Sequence, residues 1–288
     1  MFQIKAKVLY NKRDKDSFFH CAMEAPRIAL KALPGQFVNI RLTDAFEPLL
    51  RRPFSIHRVR GKTVEIIYEV LGKGTQAFSR KKAGEYLDVI GPLGNGFGHP
   101  PTPIPHSPSI LVAGGMGVAP LVFLAEKLRE IQNPCLSGRQ AKSKIQNLVF
   151  IGAKTKKQVL CEKEFKKLGC EVKIATDDGS KGFKGRVSGL LKLLLCTMHH
   201  ACLPARQAPC TIYACGPRPM LKEIALISAQ YHIPAQVSLE EHMACGIGAC
   251  LGCVVKAKGK KPKAKSDFEY KRVCKEGPVF RADEIVWE

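Results

Sequence analysis

Four cysteines near the C-terminal end, Cys245, Cys250, Cys253 and Cys274, stand in the spacing C-x4-C-x2-C-x20-C. Thiols this close do one of three things: tie the chain with disulfides, hold zinc, or cradle an iron–sulfur cluster. Structural zinc usually sits between two C-x2-C pairs, and only one such pair is present. A C-x4-C-x2-C triplet with a distant fourth cysteine is the ligand spacing of plant-type [2Fe–2S] clusters. Gly246, Gly248 and Gly252 suit a loop that wraps closely and aims N–H donors at sulfur. His242 is nearby, but four thiolates complete a cluster, so it reads as a surface histidine. The iron–sulfur reading is favoured over zinc and disulfide.

Upstream stretches carry features of nucleotide chemistry. Arg52-Pro53-Phe54-Ser55 closes a strand-like segment. An arginine there can clamp a pyrophosphate, and the serine can offer a hydroxyl to a flavin ring nitrogen. Alone, the stretch is equally an ordinary strand opening. Twenty residues on, Gly72-Lys73-Gly74-Thr75 leads into a short helix, near residues 75–82, whose first amides can receive phosphate. The pair points to FAD.

Gly114-Gly115-Met116-Gly117-Val118-Ala119-Pro120 lies between a strand and a helix, with proline where a full G-x-G-x-x-G has its last glycine. It reads either as tight packing or as a dinucleotide turn. Cys215-Gly216-Pro217 ends a later strand at the same edge of the sheet, and two such breaks suit a nicotinamide site. Asp177 and Asp178 follow the third strand of this region. An acid there suits a ribose 2′-hydroxyl, and so NADH over NADPH; capping of the next turn is the competing reading.

These residues need elements to position them. The 288 residues suggest two or three domains. Up to about Leu93, FQIKAKVLY, FFHCAME, GQFVNIRL, PFSIHRVR and TVEIIYEV are strand-length segments separated by turn signals, as in a small antiparallel barrel. GNGFGHPPTPIPHSP, with five prolines from Pro100 to Pro108, reads as a domain boundary. Strands then alternate with amphipathic helices, the signature of a parallel α/β sheet. The expected domains are 1–98, 99–232 and 233–288.

Composition narrows the partners. Lysine and arginine total 46 against 25 acids, a formal charge of +21. The basic residues are spread out, apart from a run at Lys256–Lys265 without interleaved aromatics, so nucleic acid is not the expected partner. A solvated loop or a docking face for an acidic partner is the reading of that run. No apolar stretch of about 18 residues is present, so no membrane insertion is expected. The N-terminus alternates like a strand and carries no leader pattern, which points to the cytoplasm. The eight scattered cysteines (Cys21, Cys135, Cys161, Cys170, Cys196, Cys202, Cys210, Cys215) read as buried small hydrophobes.

Together and in this order, RRPFSI, IIYEVLGKGT, LDVIGPLGNGF, VAGGMGVAPL, ATDDGS, YACGPRPML, MACGIGACLGCVV and RVCKEGPVF resemble the electron-transfer subunits of NAD-dependent dihydroorotate dehydrogenases, a branch of the ferredoxin reductase superfamily. The resemblance covers essentially the whole chain. It implies a flavin-binding β-barrel, a nicotinamide-binding α/β domain and a small C-terminal [2Fe–2S] domain. It places FAD contacts on Arg52, Pro53, Phe54 and Ser55, on Ile67, Tyr68 and Glu69, and on Gly74 and Thr75. Nicotinamide contacts fall at Gly115, Gly117, Asp177, Cys215, Gly216 and Pro217, and cluster ligands on Cys245, Cys250, Cys253 and Cys274. The implied partner is a separate FMN-containing catalytic subunit, in a heterotetramer of two chains of each kind. Electrons from dihydroorotate pass through the cluster and FAD to NAD⁺, with no general acid or base in this chain. The competing expectation is the corresponding subunit of a sulfide dehydrogenase or a ferredoxin:NAD(P) oxidoreductase. Residues 134–146 and 198–209 read as insertions, and the lysine-rich loop is longer and more basic than the pattern.

Overall fold

The computed structural model describes residues 1–43, 47–98, 108–132, 146–200, 210–259 and 268–288. Its first part is antiparallel: β1 (Phe2–Lys15), β2 (Phe18–Glu24), β3 (Phe37–Arg41), β4 (Arg52–Ser55), β5 (Arg58–Arg60), β6 (Thr63–Glu69) and β7 (Tyr86–Leu93), with short helices α1 (Pro26–Ala29) and α2 (Lys73–Ser79). The strand order is β4-β3-β7-β1-β2-β6-β5. The sequence reads PFSIHRVR as one strand, but the chain bends at Ile56–His57. The Ile56 N–H donates to Gln36 O at 3.0 Å and the His57 N–H to Glu65 O at 2.9 Å. The two end strands of the sheet are therefore successive pieces of one bent segment, which curls the sheet into a barrel around Val38, Ile40, Ile66 and Phe78.

The second sheet is built from β8 (Ser109–Gly114), β9 (Leu148–Ala153), β10 (Glu171–Thr176), β11 (Phe183–Lys184), β12 (Thr211–Cys215) and β13 (Ala235–Ser238), flanked by α3 (Val118–Gln132), α4 (Glu162–Lys167), α5 (Val187–His200) and α6 (Arg218–Gln230). β14 (Val254–Lys258) and β15 (Phe268–Arg272) form a hairpin, and β16 (Val279–Arg281) joins the larger sheet. The order is β11-β10-β9-β8-β12-β13-β16, parallel except for the antiparallel pairing of β16 with β13. All six residues of β8 are buried, as a strand covered by helices on both faces requires. From β8 the chain proceeds to β9 and β10 on one side, then returns to lay β12 on the other. The gap between the ends of β8 and β12 is thus a topological switch point, where open α/β sheets bind ligands.

The cysteine-rich tail is woven into this sheet through β13 and β16. One apolar cluster joins Phe37 and Leu93 of the barrel, Ile110 and Ile212 of the sheet, and Val255 and Phe280 of the tail. Among the described residues no helix is long and apolar enough to cross a membrane. Of the scattered cysteines, Cys21, Cys170 and Cys215 are buried and Cys161 and Cys210 partly so, whereas Cys196 is exposed on α5. Cys135 and Cys202, most of the proline-rich linker, nearly all of both insertions and positions 260–267 of the basic loop lie outside the described residues.

Candidate functional site

The four tail sulfurs form two pairs. Cys245 contacts Cys250 through its thiol, and Cys253 contacts Cys274. The chain bends tightly to bring them there, with positive φ at Gly246, Gly248 and Leu251. Six backbone N–H groups then turn inward. Those of Ile247, Ala249 and Cys250 donate to Cys245 Sγ at 3.5, 3.3 and 3.4 Å. Gly248 donates to Cys274 Sγ at 3.0 Å, Gly252 to Cys250 Sγ at 3.4 Å and Cys274 to Cys253 Sγ at 3.4 Å.

A tetrahedral zinc, with metal–sulfur bonds of about 2.3 Å, would draw all four sulfurs into one mutual contact. The groups of three or more possible ligand atoms within 4.8 Å of one another, among the described residues, do not include these sulfurs. Two pairs suit a two-iron core instead. Charge agrees: burial opposes ionisation of Cys245, but the N–H donors of Ile247, Cys250 and Ala249 bring its thiol down to about 6. Burial, then the Cys253 thiol, pushes Cys274 up to about 12. Four adjacent thiolates repel one another, so the full set forms only around a cationic centre.

The glycine reading holds at two positions. A Cβ on Gly248 would lie 2.7 Å from Lys275 Cδ, and one on Gly246 2.5 Å from Asn39 Nδ2. Gly252 has room for a Cβ, 3.5 Å from Cys250 Sγ, so packing does not require glycine there. His242 is exposed. Arg272, which sequence reasoning missed, clamps the loop from outside: its Nη1 donates to Gly248 O at 2.8 Å, and its Nε donates to Glu276 Oε2 at 3.0 Å.

At the barrel edge, β4 has only β3 beside it, so alternate backbone groups of Arg52–Ser55 face away from the sheet. A Cβ placed on Gly74 would lie 3.8 Å from Arg52 Nε. The arginine and the first turn of α2, separated by twenty residues, therefore converge. No acidic residue and no side-chain cap covers that turn, which leaves it open to an anion. Thr75 Oγ1 accepts from the Leu71 and Gly72 N–H groups at 3.0 and 3.2 Å, bracing the turn.

Phe54 and Tyr68 are in the barrel core, and the Tyr68 ring stacks on Phe78 at 4.4 Å. These two, with buried Ile67, have chiefly main-chain groups to offer a cofactor. Pro53 and Ser55 are half-buried, and Glu69 accepts from Ser17 Oγ at 3.0 Å.

At the switch point, the turn Gly115–Gly117 and the Cys215–Pro217 corner lock together. A Cβ on Gly117 would sit 2.1 Å from Cys215 O, and one on Gly114 2.8 Å from Pro217 Cδ. Gly115, at φ +54°, faces open space with no atom within 4 Å of a Cβ position. Packing thus explains Gly114 and Gly117, while Gly115 leaves a bare backbone surface beside α3, of the kind a dinucleotide phosphate needs. Burial pushes the Cys215 thiol far up, so it stays protonated and reaches a ligand only through its backbone.

Asp177 and Asp178 are exposed beyond β10, two strands from β8, or roughly 10 Å across the sheet. Asp178 Oδ1 accepts from the Ser180 N–H at 2.9 Å, and this turn holds its carboxyl below the usual range. The Asp177 side chain has no hydrogen-bond or ion-pair partner among the described residues.

The sequence pattern of the iron-sulfur cluster binding domain of dihydroorotate dehydrogenase B matches residues 240–286, and that of the oxidoreductase NAD-binding domain matches residues 111–225. The chain is 42% identical over 285 residues to the electron transfer subunit of dihydroorotate dehydrogenase B (NAD(+)) of Desulforamulus reducens, covering 98% of each. It is 35% identical to the same subunit of Caldanaerobacter subterraneus, over 99% of each. Among solved structures, an NADH-dependent reduced ferredoxin-NADP oxidoreductase superposes with a TM-score of 0.77 at 27% identity, over 99% of this chain and 90% of that one. A ferredoxin NADP+ reductase of Neisseria gonorrhoeae shares the fold at a TM-score of 0.59 and 16% identity, over 80% of this chain and 91% of that one. The chain belongs to the family of electron transfer subunits of dihydroorotate dehydrogenase B.

Proposed function

We propose that this chain carries electrons from a dihydroorotate-oxidising, FMN-containing catalytic subunit to NAD⁺, in a cytoplasmic heterotetramer of two chains of each kind. The observation that carries the reading is the paired arrangement of Cys245/Cys250 and Cys253/Cys274 under six inward N–H groups. These four thiolates hold a [2Fe–2S] cluster. Arg52–Ser55, the main chain of Ile67–Glu69 and the Gly74–Thr75 turn hold FAD. Gly115, Gly117 and Cys215–Pro217 receive NAD(H), with Asp177 on its ribose. The three sites divide among residues 1–98, 99–232 and 233–288.

Dihydroorotate gives up two electrons and two protons, and NAD⁺ takes a hydride. Bound flavin supplies the exchange between single electrons and hydride. The chain's own residues bind, orient and insulate. Gly248 and its neighbours aim N–H dipoles at sulfur, which favours added negative charge. The locked Gly117–Cys215 contact keeps the nicotinamide turn rigid, and Gly115 lets a phosphate approach. No side chain here is asked to move a proton of dihydroorotate; that acid–base work belongs to the partner. Cys250 is exposed on the outer face of the loop, beside exposed Ile247, Leu251 and Val254. An apolar rim around an exposed ligand supports docking of the catalytic subunit there. Cluster thiols must stay reduced, which suits the cytoplasm.

The test is to purify the chain anaerobically with its co-purifying partner and follow NAD⁺ reduction on adding dihydroorotate. NADH should form, and removing the partner should abolish it. The similarity to the NADH-dependent ferredoxin-NADP oxidoreductase favours a second reading, service to another acceptor. In that case the brown complex would ignore dihydroorotate while NADH still bleached its flavin.

A further inference from the structure

His57 joins the segment proposed to hold FAD to the turn proposed to hold NAD(H). It stands two residues beyond Ser55, the last residue of β4, and is fully buried. Its Nδ1 lies 2.9 Å from the carbonyl oxygen of Ala119. A carbonyl oxygen only accepts, so Nδ1 carries the hydrogen and donates it. Ala119 is the second residue of α3 and follows Gly117 by two. One imidazole therefore runs from the strand of Arg52–Ser55 to the helical turn directly behind Gly115–Gly117, across 62 residues of sequence.

The ring is held on its other sides. Its Nε2 is 3.3 Å from Glu164 Oε2, and the His20 ring meets it edge-on with centroids 5.4 Å apart. His57 also lies within metal-ligand reach of Glu65 and Glu164. Arg58, however, is 2.7 Å from Glu164 and 3.9 Å from Glu65, so a fixed positive charge already answers those carboxylates, and hydrogen bonding is the work left to the ring. Further along α3, Phe123 is part of the barrel's own apolar cluster, and Glu126 Oε1 accepts from Arg58 Nε at 2.7 Å. These contacts anchor the middle of the helix. His57 anchors its first turn, the end beside the bare backbone of Gly115.

Building on the FAD and NAD(H) assignment above, we propose that His57 is a positioning residue for hydride transfer, which sets the nicotinamide turn against the flavin strand. It touches neither nucleotide and acts through two main chains. Hydride exchange needs the reacting atoms about 3–3.5 Å apart, and a remote change that misplaces them by about 1 Å can cost roughly a hundredfold in rate. Only two residues separate the ring from Ser55 on one side and Ala119 from Gly117 on the other, so little chain is free to flex between the bond and either site.

Three variants of the full chain, each in its anaerobic complex, separate the two ends of the ring. His57→Asn keeps a donor where Nδ1 stands and gives up Glu164. His57→Gln reaches Glu164 and gives up Ala119, and His57→Leu gives up both. At saturating NADH, flavin bleaching should slow roughly tenfold or more in His57→Gln and His57→Leu, with the Kd for NADH unchanged and His57→Asn close to wild type. Amide hydrogen exchange, which needs no turnover, should quicken over residues 115–123 in His57→Gln and His57→Leu and stay slow in His57→Asn. A ring that served stability alone would lower the melting temperature of all three and leave the bleaching rate of the folded complex untouched. Wild-type rates in His57→Gln and His57→Leu, or a His57→Asn as slow as His57→Gln, would overturn the proposal while the functional reading stood. A wild-type flavin that NADH does not bleach would overturn the NAD(H) assignment and the proposal together.

Discussion

Arg272 holds the cluster loop in place although it coordinates nothing. The Gly248 N–H donates to Cys274 Sγ and the Gly248 carbonyl oxygen accepts from Arg272 Nη1, while Glu276 pins the guanidinium. A hydrogen bond to a charged group is worth about 1.5–3 kcal/mol. Arg272→Ala should therefore release iron to a ferrous chelator roughly tenfold faster; Arg272→Lys should restore only part, lacking the planar fork. Unchanged release would make the clamp incidental. The aspartates separate just as cleanly. Asp178 is committed to the Ser180 turn, so Asp177→Asn should lower the NADH over NADPH preference in kcat/KM by about tenfold, and Asp178→Asn should leave it alone. The opposite pattern would move the ribose contact to Asp178. At this scale the sequence was legible where ligands lie close along the chain: three of the four cysteines fall within nine residues. Arg272 and His57 were not, because their contacts, 24 and 62 residues away, arise from folding rather than from any motif.

Between elements, the bend after β4 does double service. It closes the barrel, and it delivers His57 and Arg58 to the α/β domain. The His57 Nδ1–H donates to Ala119 O at 2.9 Å, and its Nε2 lies 3.3 Å from Glu164 Oε2. Arg58 reaches Glu126 and Glu164 at 2.7 Å and Glu65 at 3.9 Å. Burial alone would raise the pKa of Glu164, but His57, then Arg58 and the Cys161 thiol, outweigh it and hold the carboxyl at about 2 rather than 4.5. A depressed folded value stabilises above the unfolded one and is lost as protons bind. The stability contributed by Glu164, about 2 kcal/mol after screening of its exposed part, should be present above pH 4.5 and disappear between 4.5 and 2. Glu164→Gln should flatten that limb of the unfolding curve; an unaltered acid limb would discount the contact. The strands and helices themselves were legible from periodicity. The break at Ile56–His57 was not, because an apolar run through PFSI gives no sign of which neighbour each half will pair with.

For the molecule as a whole, the three expected regions share one core. Phe37, Leu93, Ile212, Val255 and Phe280 meet in a single apolar cluster, and β13 and β16 of the tail complete the nicotinamide sheet. A chain ended after residue 232 would expose that core and leave β12 at the sheet edge. It should aggregate or unfold more than about 5 °C below the full chain; an unchanged midpoint would show the tail to be an independent module. The order barrel, α/β domain, cluster tail was readable from the rhythm of strands and helices and from the cysteine spacing. The weave was not, since β13 and β16 span four and three residues, too short for any period to show. That shared core is what a chain passing electrons between fixed sites needs, and the route through the tail depends on Cys250. The most direct test adds dihydroorotate to the anaerobic complex and follows NAD⁺ reduction in wild type and in Cys250→Ser. Wild type should form NADH, while Cys250→Ser, stripped of the cluster but still holding flavin that NADH bleaches, should form none. NADH formation by Cys250→Ser at the wild-type rate would show that electrons reach NAD⁺ without the cluster.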